Sequence, residues 1–117
     1  PAVFDRAASG MRIVEEEIFG PVVAVIPFDT TEEAVALANA SPYGLSGSIW
    51  TRDIARAVKV AKAVQTGVVS INCNNSVHIE APFGGYRMSG LGRDLGLDGL
   101  REYTEVKNVY VDLRDPE

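Results

Sequence analysis

The residues whose order carries most chemistry are Glu15-Glu16-Glu17-Ile18-Phe19-Gly20-Pro21-Val22. A run of carboxylates leads into an aromatic ring and then a Gly-Pro break. An ionised carboxylate is a pure acceptor and can take two hydrogen bonds from a vicinal diol. A phenyl ring can pack against a flat heterocycle. Glu17 and Phe19 together offer the two contacts that a nicotinamide riboside needs from a protein. The plainer alternatives are a solvated charge run and a phenylalanine that belongs to a core. Residue types alone leave both readings open for Glu17 and Phe19, whereas Glu15 and Glu16 read as solvated.

The glycine-rich block from Pro82 to Gly96 suggests phosphate binding, and two forms of that idea fail on spacing. A phosphate-cradling loop ends in Gly-Lys-Ser/Thr, but Gly90 is followed by Leu91. A dinucleotide fingerprint needs G-x-G-x-x-G, and Gly90, Gly92 and Gly96 are one residue too far apart. The reading that survives is close backbone-to-backbone packing around a cleft, which favours residues without a Cβ.

His78-Ile79-Glu80 matches the opening of a zinc-deaminase signature, but the required downstream cysteine pair is missing. No metal site is expected, because the loop holds too few further ligands. Cys73 follows a strand-like run and precedes Asn74-Asn75, with no adjacent cation in sequence to lower its thiol pKa. It reads as a small inert residue rather than a nucleophile.

These residues need elements to position them. Residues 22–28 form a nearly continuous apolar run, as in a strand buried on both faces. Thr30 and Glu33 have the spacing of a capping box, so a helix should start there and stop before Pro42. Residues 45–50 read as a second strand. Residues 53–65 read as a helix with Ile54, Ala57, Val58, Ala61 and Val64 on one face. Gly67 stands where a left-handed helix-ending residue belongs, and residues 68–72 read as a third strand. The class is therefore α/β, with a parallel-sheet βαβαβ core over residues 22–72. Residues 73–99 form a long loop, with a short helix expected near residues 97–103. Residues 104–113 look like a strand with Val109, Val111 and Leu113 on one face and no partner in the chain.

Length and composition bound the rest. A chain of 117 residues with 46% hydrophobic and 23% charged residues has the composition of one soluble globular domain, large enough to bury a core. A net charge of −5 argues against nucleic-acid binding. One cysteine excludes an internal disulfide. No apolar run reaches the ~18 residues of a membrane span. No signal-like segment precedes Pro1, so a cytoplasmic setting is the expectation.

Taken end to end, the sequence resembles the C-terminal quarter of NAD(P)-dependent aldehyde dehydrogenases. Pro1-Ala2-Val3-Phe4 and Met11-x-Ile13 look like the family's lead-in. Glu16-Glu17-Ile18-Phe19-Gly20-Pro21-Val22 is similar to its cofactor-contact motif. Tyr43-Gly44-Leu45, Thr51-x-Asp53 and Gly67-x-Val69-x-Ile71-Asn72 follow in order. Pro82-Phe83-Gly84-Gly85-Tyr86-Arg87-x-Ser89-Gly90-x-Gly92-Arg93, Gly99-Leu100 and Tyr103-Thr104-Glu105-x-Lys107 complete the series.

The resemblance implies an enzyme family that oxidises an aldehyde to a carboxylic acid with NAD or NADP. A cysteine thiolate attacks the carbonyl, hydride passes to nicotinamide, and a glutamate base helps water to hydrolyse the thioester. Glu17 would hold the nicotinamide ribose and Phe19 would pack beside the ring, both as positioning residues. Phe83 and the loop near Val77 would line the aldehyde tunnel. Residues 1–103 would be the C-terminal part of the catalytic domain, and residues 104–117 an oligomerisation strand and tail pairing with another copy. There are departures. Asp94 stands where many relatives have Glu, and Asn74, Asn75, Ser76 and His78 suggest a polar entrance. The family's nucleophilic cysteine, base glutamate and dinucleotide-binding domain lie outside the sequence, and Cys73 is not in the nucleophile's motif. The chain alone is therefore expected to be inactive, to expose apolar surface, to self-associate and to bind NAD very weakly. The rival reading is a catalytically inactive free-standing α/β module for oligomerisation or binding; a nucleotide-binding switch is disfavoured by the failed phosphate loop.

Overall fold

The computed structural model describes residues 1–75 and 77–114. Ser76 of the expected polar entrance and residues 115–117 of the expected tail lie outside the described residues. In chain order the elements are β1 (Ala2–Phe4), α1 (Arg12–Glu15), β2 (Val22–Ala24), α2 (Thr31–Asn39), β3 (Ser46–Ile49), α3 (Ile54–Ala63), β4 (Val68–Ile71), a 3-10 turn (Arg87–Ser89) and α4 (Gly96–Arg101).

The fold is α/β with parallel strands, as the alternation of strands and helices predicts. Its topology differs from a single βαβαβ sheet. β2 pairs with β1 rather than β3, in the register Ala2↔Val22 to Phe4↔Ala24. β3 pairs with β4 from Ser46↔Val68 to Ile49↔Ile71. Two separate two-stranded parallel sheets result. Each parallel pair needs a crossover, and the two crossovers carry α1 and α3. The strand at residues 22–28 is shorter than its apolar run, and it is not buried on both faces. Val23, Val25 and Phe28 are all exposed, because no second layer of this chain covers them.

The helix signals hold locally. Thr30 Oγ1 accepts the Glu33 N–H at 3.1 Å, and Glu33 Oε2 reaches back to the Asp29 N–H at 2.7 Å. That is a capping box with its return bond one residue early. Asp53 Oδ1 caps α3 by accepting the Arg56 N–H at 3.0 Å. α3 packs against α2 and β3, with Ala57 fully buried and Val60, Ala61 and Val64 half-buried. Ile54 and Val58, expected on the same inner face, are exposed, so the packed stripe is narrower than the apolar one.

The expected core is absent. Among the described hydrophobic residues only Ala7 and Ala57 are buried. The Cα radius of gyration is 20.6 Å, against about 13 Å for a compact domain of similar length. Residues 104–113 form no ladder with any other described residue, and Val106, Val109, Tyr110, Val111 and Leu113 are all exposed. No helix among the described residues is long and apolar enough to cross a membrane.

Gly67 is not the left-handed helix-ending residue that its position suggests. α3 ends at Val64 in extended backbone, and Gly67 is not among the residues with positive φ. Its lack of a side chain serves packing instead: a Cβ there would overlap the Gly84 carbonyl. Gly67→Ala is therefore expected to cost about 1–3 kcal/mol by overpacking. Gly47→Ala, where a Cβ meets nothing within 4 Å, should stay within about 0.5 kcal/mol. Thermal unfolding followed by circular dichroism checks the pair, and equal midpoints would rule out the backbone contact.

Candidate functional site

The Glu15–Gly20 stretch lies on the return leg of the first crossover, between α1 and β2. Its far end is tied down by the Ala2 N–H, which donates to Pro21 O at 2.9 Å. Within it the three carboxylates are not equivalent. Glu16 accepts from Arg12 Nε at 2.7 Å and from Arg12 Nη2 at 2.9 Å. This bidentate pair occupies Glu16, and the Arg12 guanidinium holds its carboxyl below the ordinary carboxylate range. Glu17 has no ion-pair partner among the described residues, so its oxygens remain available to a ligand.

Glu17 lines an open recess of about 510 Å³ together with Ser41, Tyr43, Gly44, Thr66 and Ser89. Ser41 Oγ accepts the Tyr43 N–H at 3.1 Å and Ser89 Oγ accepts the Gly44 N–H at 3.0 Å. Each hydroxyl can still donate its own proton. The recess thus combines an acceptor-only carboxylate with hydroxyl donors, a lining suited to a polyhydroxyl group. Sequence reasoning singled out Glu17 but missed Ser41, Thr66 and Ser89 as its neighbours. Their separation along the chain carries no signal, and only the fold brings them together.

Phe19 is 97% exposed. Leu91 is equally exposed and Val106 more so, so exposure in this chain does not separate a ligand contact from a face covered by further polypeptide. Phe83 and Val77 lie elsewhere. Phe83 is half-buried and lines a recess of about 320 Å³ with Leu45, Gly84, Gly85, Leu91 and Tyr103. Its N–H and C=O exchange 2.7 Å hydrogen bonds with the C=O and N–H of Asp94. Asp94 thereby has a structural role through its backbone. Val77 is 54% exposed on the loop after β4. Glu17 and Phe83 line different recesses, so the four candidate residues do not converge on one pocket.

The glycine-rich block does the packing work expected of it. A Cβ on Gly84 would stand 2.7 Å from Gly92 O, and one on Gly44 would stand 2.6 Å from Gln65 O. Arg93 closes the block by donating to Gly85 O at 3.0 Å and lying 5.4 Å from the Tyr86 ring centroid. Cys73 is exposed. Among the described residues no group of three or more His, Cys, Asp and Glu is placed to hold a metal ion.

Parallel strand pairs with crossover helices, an acidic recess on a crossover's return leg and a tightly folded glycine block together define part of an α/β catalytic domain. The family follows from comparison: the model of the Aldehyde dehydrogenase family matches residues 1–109, and the chain belongs to that family. It is 47% identical over 115 residues to Retinaldehyde dehydrogenase 3 of Homo sapiens, covering 98% of this chain and 22% of the relative. It is 49% identical over 110 residues to Betaine aldehyde dehydrogenase of Bacillus subtilis, covering 94% of this chain and 22% of that one. An NAD-dependent aldehyde dehydrogenase structure from Sinorhizobium meliloti superposes with a TM-score of 0.93 at 43% identity, over 98% of this chain and 23% of that one. The Mycobacterium tuberculosis aldehyde dehydrogenase complexed with NAD+ gives 0.91 at 43% identity, over 98% of this chain and 24% of that one. The chain thus spans between a fifth and a quarter of the length of these relatives.

The division of labour between Glu16 and Glu17 can be read by titration. A guanidinium favours the ionised carboxylate and so depresses its pKa. Removing it in Arg12→Ala should move the Glu16 titration up in pH, toward the ordinary carboxylate range. Side-chain carboxyl NMR checks this, and a Glu16 midpoint that stays in place would refute the pairing.

Proposed function

We propose that this chain serves as the C-terminal part of an aldehyde dehydrogenase catalytic domain, in an enzyme that oxidises an aldehyde to a carboxylic acid with NAD or NADP. Glu17 holds the nicotinamide ribose hydroxyls, and Phe19 packs beside the nicotinamide ring. Phe83 and Val77 line the path of the aldehyde. The nucleophilic cysteine and base glutamate are supplied from outside these residues, since Cys73, exposed on the loop after β4, does not stand in the nucleophile's motif. Residues 104–113 pair with a second copy as an oligomerisation strand. A cytoplasmic setting suits the single unpaired cysteine.

The observation that carries this reading is a Glu17 without an ion pair among the described residues, two residues from a Phe19 that is 97% exposed. Leaving a phenyl ring in water forgoes about 1.5–3 kcal/mol of burial, and a flat heterocycle alongside a diol would cover both groups at once. The exposed apolar surface equally supports the second reading, an inactive α/β module that works by association alone. Activity separates the two only in a polypeptide that also carries the nucleophile.

Two outcomes are expected for the 117-residue chain itself. It should turn over no NAD with simple aldehydes and bind NAD more weakly than millimolar by calorimetry. Measurable turnover, or a submillimolar dissociation constant, would overturn the proposed division of the site. It should also self-associate at micromolar concentration through its exposed apolar surface and residues 104–113. A monodisperse monomer in sedimentation velocity would count against that.

A further inference from the structure

The segment that leads into Phe83 is arched, and one residue sits inside the arch. The Ala81 N–H donates to His78 O at 3.1 Å, which folds residues 78–81 into a tight turn. Phe83 then exchanges both of its backbone hydrogen bonds with Asp94, each at 2.7 Å, as one rung of an antiparallel ladder. The next rung would join residues 81 and 96, and it does not form. Ala81 has committed its N–H to His78. Leu95 and Gly96 turn away with φ of 64° and 55°, a left-handed backbone. The Gly96 N–H passes residue 81 and donates to Ile79 O at 3.1 Å. A Cβ on Gly96 would stand 3.2 Å from each of Glu80 O, the Ala81 carbonyl carbon and Pro82 N. All three are backbone atoms, so no side chain can rotate aside to make room.

The other half of the rung is braced from behind. Gly96 is the first residue of α4, and Gly99 is buried within that helix. A Cβ on Gly99 would stand 3.0 Å from the carbonyl carbon of Asp94, so the helix lies directly against the partner of Phe83. Tyr103, two residues past the end of α4, lines the Phe83 recess together with Leu45 and Leu91. The helix thus starts under the arch and leads to the recess wall.

A side chain at residue 96 has two ways to relieve the crowding. It can lift residues 80–82, which are joined covalently to Phe83. It can push residues 94–96 back, and Asp94 is hydrogen-bonded to Phe83 through both backbone groups. Either movement displaces Phe83 against Leu45, Leu91 and Tyr103.

We propose that Gly96 is a positioning residue for the path of the aldehyde: seated within the arch, it fixes where Phe83 stands over its recess. This rests on the reading of Phe83 as a lining residue of that path, and it adds the residue that holds Phe83 in place.

The test is NMR of the isotope-labelled 117-residue chain titrated with benzamide. Benzamide pairs a carbonyl with an apolar ring and forms no Schiff base with lysine. Binding is followed at the Phe83 amide and ring in the wild type, Gly96→Ala, Gly96→Asn and the remote control Ala57→Gly, each with its thermal midpoint. Asparagine tolerates left-handed backbone but carries a Cβ, so Gly96→Asn keeps the crowding with less strain. Both Gly96 variants are expected to bind benzamide about three- to tenfold more weakly. Their Phe83 and Asp94 amides should exchange with solvent about tenfold faster, as in a local opening. The Asn72 amide, which donates to Ile49 O at 2.8 Å, should keep its wild-type rate. Ala57→Gly weakens α3; its midpoint should fall while its benzamide affinity stays at the wild-type value. Wild-type affinity in the Gly96 variants would overturn the positioning role. So would an equal loss of affinity in Ala57→Gly, faster exchange shared by Asn72, or failure of both Gly96 variants to fold. Absence of any shift at Phe83 in the wild type is a separate signature: it would remove the aldehyde-path reading of Phe83 and this inference with it.

Discussion

The approach of Gly67 to Gly84 is the constraint on which the rest of the chain depends. No side chain fits between the lead-in to β4 and the glycine block, so two backbones lie directly against each other. From that contact the block turns back to bond Pro42 and Gly44 through the N–H groups of Met88 and Tyr86. The same block pairs Phe83 with Asp94. The site walls are consequently fixed by backbone hydrogen bonds, whose geometry is directional, rather than by the packing of large side chains.

That reliance follows from the absence of a core. Buried apolar area is the main favourable term in folding, yet almost all of the large hydrophobic side chains here keep substantial exposure. Phe4, Phe28, Trp50 and Leu113 are examples from every part of the chain. The aldehyde dehydrogenases it matches are four to five times longer. The same segment keeps its conformation in structures from other organisms, with TM-scores of 0.93 and 0.91. Helix caps, crossover pairing and the glycine contacts all lie within the chain itself. The apolar faces they leave open are exposed.

The site shares this partial character. Among the described residues Glu17 forms no ion pair, Phe19 is 97% exposed, and Glu16 is paired with Arg12. Phe83 stands on a different recess from Glu17.

Much of this was legible in the residues. Capping at Thr30, the helices over residues 31–39 and 54–63, the parallel strands, and the packing role of the glycine block all follow from rules that the residues display, whereas the cap at Asp53 appeared only in the structure. The Glu17–Phe19 pair was also visible, because a carboxylate and a ring at that spacing are a local pattern. Other features were not legible because they depend on what lies opposite. An apolar run at residues 22–28 looks the same whether or not a second layer covers it, so neither its exposure nor its partner β1 could be read. Ile54 and Val58 belong to an apolar stripe by period, but only Ala57, Val60, Ala61 and Val64 meet a neighbour. Gly67 suits a helix end and a close contact equally well, and only the position of Gly84 decides between them. By itself the sequence determined the local conformations and the residues capable of chemistry, since both depend on neighbours along the chain. The tertiary structure alone decided which strands pair, which faces stay open and which hydroxyls stand beside Glu17, since those depend on backbone hydrogen bonds between distant segments.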